Sequence, residues 1–226
     1  MTVRDTAPPQ ESGRLPGRGR RSLEVLLLFV AAPLVHVALF DTLGVFAPLA
    51  TVTAVGVLLL AVTPGWRWGE LIDLASLRGQ GRTILGFTAV AAAVIFALVF
   101  ALIPHRLFGL PRYMPETWAL VMIFYPLVSV LGQELLFRPL FFRRYGDLFG
   151  GPVTLVIANA GVFSLTHAFY QNWVALTLTF AGGLIFAEVY RRTRSFPLVF
   201  LLHTFAGQII FTSGLGVYFY HGAIPQ

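Results

Sequence analysis

The chain has 226 residues, of which 57% are hydrophobic and only 12% charged. That leaves too little polar surface to clothe a soluble domain of this size, and the apolar residues come in blocks long enough to cross roughly 30 Å of hydrocarbon. All sixteen basic residues are arginine. They sit mainly in the tail and the short loops between apolar blocks, so the high pI is a topology signal rather than a mark of nucleic-acid binding. Cysteine is absent, which excludes disulfides, thiolate metal sites and a cysteine nucleophile.

Residues 1–21 are rich in Pro, Gly and Arg without an apolar period, and are expected to form a disordered basic cytoplasmic tail. Residues 22–226 then form a single transmembrane domain. Seven blocks can span: 23–40, 45–63, 83–104, 117–142, 151–170, 173–190 and 196–220. The predicted fold is an all-α polytopic membrane helix bundle. Between the second and third blocks, 64–82 is too polar to span, and its tryptophans with Leu71, Ile72 and Leu74 predict a short helix lying at the cytoplasmic interface. Tyr218 and Tyr220 suit an outer aromatic belt.

With the N-terminus inside, the arginines of the tail (Arg4 to Arg21), of 67–82, of 143–144 and of 191–194 fall on the cytoplasmic side. Arg106 and Arg112 fall outside, and Arg138 lies within a span. This bias predicts a cytoplasmic N-terminus, an external C-terminus and an odd number of spans.

Ionisable groups inside spans are costly, so each is a functional candidate. Gln133, Glu134 and Arg138 lie in the fourth block, His167 in the fifth and His203 in the seventh. Glu134 and Arg138 are four apart with the acid first, so they share a helix face and can pair. Gln133 is turned by about 100° from Glu134 and addresses a different neighbour. Asn159, Phe163 and His167 repeat every four residues and form a polar-aromatic stripe facing the bundle. His36, alone on an apolar face, reads as a packed histidine. One carboxylate and two imidazoles can activate a water against a carbonyl and hold the oxyanion, ligate zinc or relay protons in a transporter. Spacing alone does not choose among these.

As a set, "QELLFR" (133–138), "FSLTH" (163–167), "HTFAG" (203–207) and the stretch "GGLIFAEVYRRTRSFPLVFLLH" (182–203) resemble the CPBP family. These are the intramembrane proteases related to the CAAX prenyl endopeptidase and bacteriocin-processing proteins. The likeness covers about 117–212. The following "FFRRY" (141–145) and "TSGLGVYFY" (212–220) also resemble a bacterial branch that carries glutamine in the first motif, which implies a bacterial inner membrane. In the family, the first motif glutamate and the second motif's histidine are thought to activate water. The last histidine and the residue four after it are thought to hold the oxyanion. The resemblance carries these roles to Gln133, His167, His203 and Gly207, with Glu134 and Arg138 in support. Two positions depart from the pattern. The amide of Gln133 cannot accept a proton at neutral pH, and Gly207 offers no side chain, leaving a backbone group or Gln208.

The reading that follows is an intramembrane endopeptidase acting on a membrane-embedded or juxtamembrane peptide, such as a C-terminal anchor. Nothing argues for a prenyl pocket specifically. No cofactor is expected and activity should need no metal, because Glu134 is expected to pair with Arg138. The rivals are an inactive family member that binds a membrane peptide, for which Gln133 speaks, and a proton-coupled transporter, for which no internal repeat is found. Depth poses a difficulty. Glu134 and His203 are each expected roughly 10–12 Å from the cytoplasmic ends of their helices, whereas His167 lies roughly 25 Å from Gly151. They meet only if the fifth helix starts deep, tilts or breaks.

Overall fold

The computed structural model describes residues 14–219. The expected tail up to residue 13, and Tyr220 of the aromatic belt, lie outside the described residues. Seven apolar helical runs form the bundle: α1 (Arg18–Ala38), α2 (Phe46–Ala61), α3 (Gly81–Leu102), α4 (Pro115–Phe149), α5 (Pro152–Leu165), α6 (Trp173–Thr193) and α7 (Phe196–Ser213). Six runs are long and apolar enough to cross a membrane, α5 being counted with its extension to Tyr170; α2, at 16 residues, is shorter. The architecture is an all-α polytopic bundle.

Burial ranks the helices. Of the most apolar window of α7, 56% is buried, against 11% for α3. The seventh run is therefore the central post and the third faces outward. Along α7 pack α3, the first part of α4 and α6, while α5 runs antiparallel to α6. That last contact is close because Gly183 has no side chain. A Cβ there would lie 3.0 Å from Ala160 Cα.

α4 is 35 residues long and does not end at residue 142 as its composition suggests. It continues through Pro139, where an α-helix would lose a hydrogen bond and meet a clash. The chain answers by winding Leu136–Tyr145 as a π-helix, and Pro126–Val130 likewise. The wider turn makes room for each proline ring without ending the helix. An aromatic cluster then seals this part of the bundle, with Phe29 of α1 meeting Phe137, Phe141 and Tyr145 edge-on at 5.1–5.9 Å.

α1 begins at Arg18, inside the stretch that composition assigns to the tail, because its first turns are clamped to the end of α4. Glu24 accepts two bonds from Arg144, at 2.7 and 2.9 Å, and one from Tyr145 at 3.2 Å. Arg21 pairs with Asp147 and donates to the Arg144 carbonyl. Between α2 and α3 the expected interfacial helix is two 3₁₀ pieces, Trp68–Ile72 and Leu74–Leu77. Ile72 and Leu74 remain exposed, as an interfacial segment requires. Ser76 meets Ser195 at 2.6 Å, so this segment lies over the start of α7.

These two features bear on the depth difficulty, together with the end of the α5 helix at Leu165, two residues before His167. α4 and α5 form a hairpin around 150–151, and Glu134 and His167 lie equally many residues from it along the chain. α7 starts beneath the 3₁₀ segment with Phe196, Leu198 and Val199 already buried, so a short distance along it reaches the same level.

The close α5–α6 contact is testable. Gly183→Leu should lower the melting temperature in detergent by roughly 3–10 °C through overpacking. Gly161→Ala, where an added Cβ meets nothing within 4 Å, should cause no loss.

Candidate active site

The site is built from three helices, each offering residues at a spacing of four. α4 presents Tyr125, Ser129 and Gln133, α5 presents Asn159, Phe163 and His167, and α7 presents His203, Gly207 and Phe211. Beside Gln133, Glu134 turns inward and is fully buried. One of its oxygens accepts from Arg138 Nε at 2.9 Å and the other meets His203 Nδ1 at 2.8 Å. Arg138, also fully buried, donates to Asn159 Oδ1, and the Asn159 amide donates to the Phe137 carbonyl at 2.8 Å. A single polar chain thus runs Asn159–Arg138–Glu134–His203 and ties α5, α4 and α7 together.

Aromatic rings insulate this chain. The Arg138 guanidinium lies 5.4 Å from the Phe163 ring and 5.8 Å from Phe186, a cation–π arrangement on both rings. His203 stacks on Phe186 at 5.1 Å and meets Phe163 edge-on at 5.6 Å. His167 contacts the same Phe163 at 4.9 Å, so the two imidazoles flank one ring.

His167 follows the last turn of α5, and side chains on a helix lean toward its N-terminus. Its Nδ1 returns to the Phe163 carbonyl at 2.8 Å. Asn172 fixes the turn beyond, capping α6 through Ala175 N and donating to the Tyr170 and Tyr218 carbonyls. Both histidine tautomers follow from these partners. A carbonyl and a carboxylate can only accept, so neutral His167 and His203 each carry the proton on Nδ1, leaving Nε2 as a lone pair.

Gln133, His167 and His203 line one cavity of about 80 Å³, together with Tyr125, Thr179 and Gly207. Gln133, Ser129 and His167 also border a second, more apolar cavity of about 100 Å³ between α1 and α2, where Phe29, Val52 and Leu136 line the wall. Gln133 donates to Ser129 Oγ at 2.8 Å, while its Oε1 is buried without a partner among the described residues. The five residues singled out from sequence therefore divide into two layers. Gln133, His167 and His203 face the cavity, and Glu134 and Arg138 lie behind it. Among the described residues no three His, Asp or Glu side chains are grouped to hold a metal ion. His36 bonds the Gly44 carbonyl and packs on Phe169, while Gln208 donates to the Met122 carbonyl and takes no part in this cavity. Tyr125, Ser129 and Phe186 escape a search for ionisable residues. For the first two the signal was their spacing of four and eight from Gln133.

Residues 115–208 match the Rce1-like family, described as type II CAAX prenyl endopeptidase Rce1-like. No curated protein and no solved structure matches the chain. The matched segment contains every residue of the polar chain and both imidazoles, and it supports membership of the CPBP family of CAAX-type intramembrane proteases.

Proposed function

We propose that the chain is an endopeptidase that hydrolyses a peptide bond in a membrane-embedded or juxtamembrane segment, with a water activated inside the bundle. The observation that carries this reading is the cavity itself, which Gln133, His167 and His203 line together, with the buried Glu134 carboxylate bonded to His203 behind it. A water donates one hydrogen to Gln133 Oε1 and the other to His167 Nε2. His167 takes the second as the oxygen attacks the carbonyl, and returns it to the leaving amine. Glu134 is not the base in this reading, because it is fully buried behind the cavity and does not line it. Its charge is balanced by Arg138 and it fixes the ring of His203, whose Nε2 accepts a substrate N–H and orients the scissile bond. A glutamine in the first motif is thereby a holder of water rather than a proton acceptor.

A second reading, an inactive member that binds a membrane peptide, rests on the same amide. Two variants separate them. With purified protein in liposomes and a membrane-tail peptide, wild type should cleave and His167→Asn should lose about 10²–10⁴-fold in kcat. Glu134→Gln should also lose cleavage while retaining helicity, although it leaves Arg138 without its carboxylate. Inert wild type with cleavage restored by Gln133→Glu would establish the binder instead.

We further propose a cytoplasmic N-terminus, from the arginine distribution. Because the chain has no cysteine, single cysteines report cleanly. In intact cells a membrane-impermeant maleimide should label Glu116→Cys and spare Asp73→Cys; the reverse pattern would invert the topology.

A further inference from the structure

Hydrolysis of a peptide bond places negative charge on the carbonyl oxygen, and a site that accelerates it needs a donor aimed there. Several donors around this cavity are committed, while the Ser129 hydroxyl, which accepts from Gln133, and the second Gln133 N–H are not. His203 spends its Nδ1 proton on Glu134 and His167 spends its own on the Phe163 carbonyl. Thr179 donates to the Ala175 carbonyl and one Gln133 N–H goes to Ser129. Gly207 brings no side chain at all.

Tyr125 is different. Its ring is fixed edge-on against His203 at 6.2 Å and Phe211 at 5.4 Å, and it lines the same cavity as Gln133, His167 and His203. Among the described residues its hydroxyl makes no hydrogen bond, and it is not sealed away from the cavity. It also occupies the place a side chain on α7 would take. A Cβ built on Gly207 would fall 2.3 Å from the Tyr125 hydroxyl oxygen and 2.3 Å from its Cε1. The glycine one turn after His203 and the tyrosine on α4 are thus two halves of one arrangement, in which a phenol from the neighbouring helix fills the gap. A phenylalanine would pack as well and would not carry an unpaired hydroxyl into the interior.

We propose that Tyr125 is the oxyanion donor of this site, an inference that rests on the hydrolytic reading above. As the water oxygen bonds to the carbonyl carbon, the C=O π electrons move to oxygen, and the Tyr125 O–H donates a hydrogen bond to it without giving up its proton. The water's proton resides on His167. When the carbonyl re-forms, the C–N bond breaks, its electrons go to nitrogen, and nitrogen takes the proton from His167. The products are a carboxylic acid and an amine.

The test uses full-length protein in liposomes and one tail peptide. Tyr125→Phe should lower kcat about a hundredfold or more with KM little changed. Tyr125→Ala should be at least as impaired, and Tyr125→Ala/Gly207→Asn should recover activity above it, because the freed space admits a donor from α7. A Tyr125→Phe enzyme that turns over at the wild-type rate, or is impaired through KM alone, overturns the inference. Loss in His167→Asn beside such an unimpaired Tyr125→Phe keeps the hydrolytic reading and discards only the donor. A wild type that leaves the peptide intact overturns both.

Discussion

The buried contact between Glu134 and Arg138 is the constraint around which the site is arranged. Both side chains are fully buried, and removing one partner from such a pair costs about 3–5 kcal/mol because the other charge is stranded. The pair is therefore not left to itself. Asn159 and His203 each take up one of its remaining hydrogen-bonding positions, and Phe163 and Phe186 cover the guanidinium. These satisfiers come from three other helices, α5, α6 and α7. Meeting the electrostatic need of two adjacent turns of α4 thus fixes where three other helices stand.

The path of α4 makes this possible. A chain of 35 residues carrying prolines at 126 and 139 would kink or stop as a pure α-helix. Two π-wound stretches let it pass both prolines and still deliver Tyr125, Ser129 and Gln133 to one cavity and Phe137 and Phe141 to the aromatic core. The missing side chains at Gly183 and Gly207 act in the same direction, since each permits an approach that a methyl group would block.

Much of this was legible from residue type and spacing. Lipid-like composition announces a bundle, and the cost of charge in hydrocarbon picks out Glu134, Arg138, His167 and His203. The four-residue stripe on α5 identifies Asn159 before any partner is known. Depth was not legible, because it depends on where helices begin and end. Composition stops the fourth span at the arginines near 143, while Arg144 is in fact buried against Glu24 and the helix runs on. The start of the seventh span depends on a 3₁₀ segment packed over it from more than a hundred residues away. Tyr125 went unseen for a different reason: a tyrosine in an apolar block is unremarkable until the empty space beside Gly207 shows where its hydroxyl goes.

The junction at Gln133 has an energetic corollary. This residue stands between two chambers, one more apolar than the other, directly before a glutamate in the chain. An ionised carboxylate here would stand against an apolar wall and within the field of Glu134, with Arg138 Nε and Nη1 already bonded to Glu134 and Asn159. Its desolvation and the repulsion between like charges would both weigh on the folded state. The amide keeps the oxygen that can hold a water and sheds the charge. Relative to a carboxylate at this position, an amide gives up proton-accepting strength and avoids that electrostatic cost to the resting protein.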